Sequence, residues 1–224
     1  MINIAIDGPA GAGKSTISKA VAAELGFIYV DTGALYRAIG LYALRNGVNM
    51  DDIAAVNDML GKIKVELKYI EGAQHVLLCG EDVSTDIRLP EVSMAASKVS
   101  SIPVVRQFLF DLQKDIAARN NVVMDGRDIG TVVLPNAQIK IFLTASAEER
   151  ARRRYVELTE KGQKVDYDEV LRDIIERDYN DSHRDIAPLK QADDATLIDT
   201  SDKKLEQSVE FMLAFIRERL NAND

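Results

Sequence analysis

The chain has 224 residues, and 28 Lys and Arg against 36 Asp and Glu leave it with a net charge of −8. With 46% hydrophobic and 29% charged residues, this is the composition of a folded globular protein, not of a disordered one. So acidic a chain is poorly suited to coating duplex nucleic acid, and its longest uncharged stretch, Ile129 to Ile139, is too short to span a bilayer. One cysteine and two histidines exclude a disulfide framework and argue against a structural zinc site. Met1 to Asp7 has no basic region leading into a signal-type core, so a cytoplasmic location is expected.

Ile2 to Ile6 reads as a short buried strand ending at Asp7-Gly8, followed by a helix from Lys14 to Leu25 with Gly26 as its stop. Phe27 to Val30 is a second strand, and a helix is expected from about Ala34 to Arg45. Strand and helix alternating at this spacing imply a parallel sheet with crossover helices. Residues 62–88 break that rhythm. Lys62 to Tyr69 alternates, Glu71-Gly72 signals a turn, and His75 to Cys79 forms a return strand, so a small antiparallel sheet is inserted here. Cys79 is expected to be a small core residue. Helices follow at 90–100 and from Pro103 to Ala118. The parallel pattern resumes at Val122 to Asp125, at Ile139 to Leu143 and at Thr196 to Ile198. Ser146 with Glu149 reads as a capping box, and Asp166 with Glu169 marks another helix start. An amphipathic helix closes the chain from about Lys203 to Leu220, with Phe211, Met212, Phe215 and Ile216 as core residues.

Gly8-Pro9-Ala10-Gly11-Ala12-Gly13-Lys14-Ser15 fits G-x-x-x-x-G-K-[ST] at every fixed position, between a strand and a helix. Glycines let backbone N–H groups turn inward around phosphate oxygens, and the helix start adds its dipole. Lys14 would supply charge to the β- and γ-phosphates, and the Ser15 hydroxyl could ligate Mg²⁺. The dinucleotide fingerprint fails, because Thr16 stands where its last glycine belongs. No guanine-reading N-K-x-D motif is present.

Two further segments lie at the carboxyl edge of the expected sheet, where α/β proteins bind ligands. Asp31 to Arg37 follows the second strand, and either caps a helix or offers Arg37 to a phosphate. Asp125-Gly126-Arg127-Asp128-Ile129-Gly130 follows the third, and is either a salt-bridged turn or part of a site. Asp125 either helps to anchor Mg²⁺ or pairs with Arg127. Seven of the fifteen arginines lie between Arg150 and Arg184, in a stretch with equal numbers of positive and negative groups. Such a mixture is either a solvated helix pair or a cluster for a small polyanion.

These residues resemble the nucleoside monophosphate kinases, and closely the bacterial-type cytidylate kinases. The resemblance is carried over nearly the full length by the P-loop, Asp31 to Arg37, Gly80 to Ser84, Ala95 to Ser100, Asp125 to Gly130, Glu148-Glu149-Arg150, and Glu176-Arg177-Asp178 through Arg184 to Pro188-Leu189. It implies a P-loop three-layer α/β fold with a five-stranded parallel sheet, a small inserted antiparallel sheet and a short helical lid. The single kinase domain would comprise a core (about 1–32, 103–148 and 186–224), a monophosphate-binding segment (about 33–102) and a lid region (about 149–185). Residues Gly8 to Thr16 (Gly8, Pro9, Ala10, Gly11, Ala12, Gly13, Lys14, Ser15 and Thr16) would hold ATP, with Ser15 on Mg²⁺. Arg37, Arg127 and Arg184 would clamp the monophosphate, Ser97, Arg106 and Asp128 would read cytosine, and Arg177 and Asp181 would contact the sugar. Thr32 stands where a serine is common in the family, with its hydroxyl retained. Arg150, Arg153 and Arg154 would belong to the lid over ATP, and Lys14, Arg127, Arg153 and Arg184 would act in transfer. The implied activity is ATP-dependent conversion of CMP and dCMP to the diphosphates by a monomer, with no nucleic-acid polymer or membrane as partner.

Overall fold

The computed structural model describes residues 1–70 and 73–222. Five strands, β1 (Asn3–Asp7), β2 (Ile28–Asp31), β6 (Val122–Gly126), β7 (Ile139–Thr144) and β8 (Thr196–Asp199), form one sheet in the order β2-β6-β1-β7-β8. The pairs β1/β6, β1/β7 and β7/β8 are parallel, as strands linked by crossover helices must be. Ile4, Ala5 and Ile6 of the central strand are fully buried, which explains the unbroken apolar run in place of alternation. Three further strands, β3 (Val65–Ile70), β4 (Ala73–Leu78) and β5 (Glu81–Asp82), make the antiparallel sheet. Its first turn, expected at Glu71-Gly72, lies outside the described residues.

The chain divides into two compact units, Met1–Tyr29 with Asn120–Asp224, and Val30–Arg119. In the first, α1 (Lys14–Leu25) and α8 (Leu205–Asn221) cover the sheet with Ile17, Val21, Met212 and Ile216 against Ile4, Ile6, Ile139, Ile141 and Leu143. The same unit carries the antiparallel helix pair α6 (Ala147–Glu160) and α7 (Tyr167–His183), which close on Ala151, Val170 and Ile174. The second unit contains α2 (Thr32–Arg45), α3 (Ile53–Leu60), α4 (Pro90–Ser100), α5 (Pro103–Arg119) and the antiparallel sheet around Leu35, Ile39, Val56, Val76, Val99 and Leu109. Here α2 and α4 approach closely at Gly40, where an added Cβ would lie 2.9 Å from the Ala96 nitrogen. Among the described residues no helix is long and apolar enough to cross a membrane.

Several local expectations are corrected. Cys79 is exposed: β4 ends at Leu78, and Cys79 turns the chain in a left-handed conformation with φ 52°. Phe211 is 48% exposed beneath the Lys203 ammonium, whereas Met212 and Ile216 on the same helix are buried. The α6 start is half of a capping box. Ser146 Oγ accepts the Glu149 N–H at 3.2 Å, but the Glu149 carboxylate is taken by Arg152 and Arg153. Helix α2 starts at Thr32, two residues earlier than expected, because Asp31 caps it by accepting the Ala34 N–H.

Candidate phosphoryl-transfer site

Strand β1 delivers the chain into the glycine-rich loop at the sheet's carboxyl edge. Gly8 has φ 151°, and a Cβ there would fall 1.9 Å from the Leu143 carbonyl oxygen, so no other residue fits. Gly11 and Gly13 have φ 76° and 88°, and Gly13 caps α1 without a side-chain hydrogen bond. The first turn of α1 thus presents backbone N–H groups and its dipole to the loop. Lys14 is buried, and its ammonium donates to the Pro9 carbonyl at 2.7 Å. Burial pushes its pKa well down, helped by the Arg127 charge and opposed by Asp125, Asp7 and Asp181. Ser15 Oγ donates to Asp125 Oδ2 at 2.8 Å, and the Tyr29 hydroxyl donates to Asp125 Oδ1 at 3.2 Å. These hydrogen bonds place the Asp125 carboxylate beside Ser15. Thr16 follows on α1 and is exposed.

Hard oxygen donors such as the Ser15 hydroxyl and the Asp125 carboxylate suit Mg²⁺, which keeps waters and takes phosphate oxygens as well. Among the described residues no group of three or more His, Cys, Asp and Glu could form a metal cage of its own.

Strand β6 lies beside β1 with Ile6 opposite Asp125 and Asp7 opposite Gly126, so both loops leave the sheet at the same edge. Beyond Gly126 the chain enters a π-helical turn, Ile129–Val133, where the Asp128 carbonyl accepts from both Val132 and Val133. Arg127 Nε donates to Asp181 Oδ2 of α7 at 2.8 Å, and its Nη1 donates to Gly126 O at 3.3 Å. Arg184 Nη2 lies 3.6 Å from Asp128 Oδ1, and Arg184 Nε donates to Ala187 O at 2.6 Å. Ala187 holds that carbonyl in place from a left-handed backbone, φ 48°. Burial tends to raise the Asp181 pKa, but Arg127, Arg177 and Arg184 outweigh it, and the carboxylate stays below its usual range. Arg177 lies one turn before Asp181 on α7 and is half-buried.

The arginines of α6 differ sharply from one another. Arg150 has a 5% exposed side chain that donates to Ala145 O, to Ala10 O of the glycine-rich loop at 3.1 Å, and with two nitrogens to Asp178. It is a strut joining the loop to α7. Arg153 donates to Glu149 and to Thr200 O, and its Nη1 lies 3.9 Å from where a Gly13 Cβ would stand. Arg154 is half-buried and pairs along its own helix with Glu157, Nη1 to Oε2 at 2.8 Å.

In the Val30–Arg119 unit, Arg37 lies 4.0 Å from Asp31 on the second turn of α2, and Thr32 is buried at that helix's first position. Arg106 of α5 is buried, donates to Ser100 O at 3.2 Å and lies over the Tyr36 ring at 5.8 Å. Ser97 is half-buried on α4, and its carbonyl accepts the Ser100 hydroxyl.

Residues 4–218 match the family model described as cytidylate kinase. The chain belongs to the cytidylate kinase family. It is 53% identical over 212 residues to a cytidylate kinase of Caldicellulosiruptor saccharolyticus, covering 95% of this chain and 94% of that protein. It is 45% identical over 219 residues to one from Lactobacillus johnsonii, covering 98% and 95%. Among solved structures, an uncharacterized protein from Eubacterium ventriosum covers 97% of this chain and 99% of its own, with a TM-score of 0.53 at 12% identity, a likeness of fold alone.

As a member of the cytidylate kinase family the chain is a phosphotransferase of the P-loop class, with ATP as the phosphoryl donor that family membership implies. Sequence reasoning missed Asp7, Tyr29 and Asp178. Asp7 has no motif of its own, and Asp178, though part of the Glu176-Arg177-Asp178 motif, shows its partnership with Arg150 only once the helix pair is assembled. Tyr29 is an alternate position of an apolar strand, and its hydroxyl has meaning only through Asp125.

Proposed function

We propose that this kinase transfers the γ-phosphoryl group of ATP to CMP and dCMP by direct in-line displacement. The observation that carries the reading is the placement of the glycine-rich loop with Lys14 and of Arg127, Asp128, Asp181 and Arg184 at one sheet edge. A nucleoside monophosphate already has an ionised phosphate oxygen at neutral pH, so the attacking atom needs no strong general base. That matches a site rich in arginine and lacking histidine: His183 is exposed and stacks on Tyr179, and His75 pairs with Asp82 in the antiparallel sheet.

On this reading, the residues from Gly8 to Thr16 bind the donor phosphates through backbone N–H groups, and Lys14 leaves Pro9 O for a phosphate oxygen. Ser15, with Asp125 behind it, would hold Mg²⁺, which neutralises donor phosphate charge when bound. Arg127 and Arg184 bind the acceptor phosphate and stabilise charge spreading over the transferring group, a task suited to a planar, permanently charged fork. Arg153 adds positive charge at the donor side. Arg37 is a third acceptor-phosphate contact, Ser97, Arg106 and Asp128 read the cytosine, Thr32 supplies a hydroxyl contact, and Arg177 and Asp181 bind the sugar hydroxyls. We assign residues from about 33 to 102 to monophosphate binding and from about 149 to 185 to a lid that excludes water during transfer. We also propose that the enzyme acts as a monomer in the cytoplasm.

The test is a panel of CMP, dCMP, UMP and AMP with ATP and Mg²⁺, scored by diphosphate formation. CMP and dCMP should give the highest kcat/KM, and Lys14→Ala should abolish turnover mainly through kcat. A kcat/KM for UMP or AMP equal to that for CMP would refute the cytidine assignment. ATP turnover independent of any monophosphate would refute the kinase assignment altogether.

A further inference from the structure

Asp7 is the last residue of the central strand and immediately precedes the glycine-rich loop. It is 4% exposed, and its carboxylate is divided between two backbone donors, Ile129 N–H to Oδ1 and Gly130 N–H to Oδ2, both at 2.7 Å. These two N–H groups open the π-helical turn that follows Arg127 and Asp128. A carboxylate is the one side chain of this size that can accept at both oxygens at once. The fit is tight on the far side as well: a Cβ on Gly130 would stand 3.3 Å from Asp7 Oδ2 and 3.2 Å from the Lys140 stem. Gly130 is thereby the residue that lets its own N–H reach the carboxylate.

We infer that Asp7 is a positioning residue for the acceptor site, fixing the Arg127–Asp128 segment by gripping the turn behind it from the strand that also launches the donor loop. This rests on the reading that Arg127 and Asp128 bind CMP. Asp7 touches no nucleotide atom on that reading, and it acts on the acceptor segment through Ile129 and Gly130. The burial that makes the grip strong also makes it sensitive to protons. Burial raises the Asp7 pKa to about 6, with the Gly130 and Ile129 N–H groups and the Lys14 charge pulling it down and Asp128 pushing it up. The charged or titratable groups facing it are thus Lys14 from α1 and Asp128 from the loop; the nearby Lys140 ammonium is turned away to Pro135 O and Asp194. A protonated Asp7 keeps one good acceptor and confronts the other N–H with a hydroxyl.

The experiment compares wild-type and Asp7→Asn enzyme with CMP and ATP varied in turn, since an amide keeps the shape but turns an N–H₂ toward one of the two donors. KM for CMP should rise roughly 10- to 100-fold, as for a misplaced binding group, while KM for ATP stays within about twofold. An unchanged KM for CMP, or equal rises in both KM values, overturns the inference. Should Asp7→Asn fail to fold, the wild-type enzyme carries the test. The amide proton signals of Ile129 and Gly130 should titrate together near pH 6, and affinity for cytidine, which has no phosphate to ionise, should fall with the same midpoint. Amide signals that titrate without any change in cytidine affinity, or that do not titrate, overturn it. A wild-type enzyme inactive on CMP refutes the substrate reading and this inference with it, whereas an active wild type with an indifferent variant refutes the inference alone.

Discussion

Replacing Arg150 by alanine should destabilise the protein by about 3 kcal/mol, because removing one partner of a buried ion pair costs about 3–5 kcal/mol. The lower end applies because Asp178, left without its partner, has a 26% exposed side chain that water can reach. Two backbone carbonyls, Ala10 O and Ala145 O, lose a charged donor at the same time. With an unfolding entropy of about 2.1 cal/mol/K per residue over 224 residues, that loss corresponds to a Tm lower by about 6 °C. Because Ala10 belongs to the glycine-rich loop, KM for ATP should rise as well. Thermal melts followed by circular dichroism, together with a coupled ADP assay, measure both effects. The double variant Arg150→Ala with Asp178→Ala should lose less than the sum of the two single changes, since each alone strands the other. A Tm for Arg150→Ala within about 1 °C of wild type, or strict additivity in the double variant, would refute the strut.

Three other outcomes follow from the geometry. Gly8→Ala should fail to yield soluble folded protein at wild-type expression, since its Cβ would collide with the Leu143 carbonyl of a central strand; a normal melt would refute the close approach. Asp128→Ala should raise KM for CMP while leaving KM for ATP nearly unchanged, and a selective loss of ATP binding would reverse the donor and acceptor assignments. Hydrogen bonding from Arg152, against the effect of burial and with help from Arg153, lowers the Glu149 pKa from the usual 4.5 to about 2. Its stabilising contribution is therefore complete above pH 4.5 and lost as pH falls toward 2, so Glu149→Gln should flatten the acid limb of a stability-against-pH curve across that window.

The elements with strong local signals were legible before the fold was known. The run Ile2 to Ile6, the glycine pattern and the helix after it form a self-contained strand-loop-helix unit, and its spacing alone specifies a phosphate site. Asp166 at the start of α7 and Pro103 at the start of α5 mark their helices for equally local reasons. Helix α3 was legible and overlooked: Asp52 caps it by accepting from Ala54 and Ala55, and Val56, Met59 and Leu60 form its buried face. The π-helical turn at Ile129–Val133 has no sequence signature, because it depends on a carboxylate 122 residues away. Arg150, Arg153 and Arg154 look interchangeable in the sequence. Their different partners appear only when α6 is laid beside the glycine-rich loop and α7. Cys79 misled because an apolar run was extended one residue too far, to the point where the chain turns.

The cationic groups near the sheet edge are not bare in this fold. Arg127 is held by Asp181, Arg184 stands near Asp128, Arg153 is held by Glu149, and Lys14 rests on a carbonyl. On the proposed assignment of these groups to phosphate, an incoming phosphate displaces an internal partner instead of falling into an open positive field. Such an exchange is close to balanced in charge, so it rewards a ligand only when its oxygens match the geometry that a carboxylate or carbonyl already occupies. On the same assignment, a nucleotide held also by base and sugar exchanges several of these partners together.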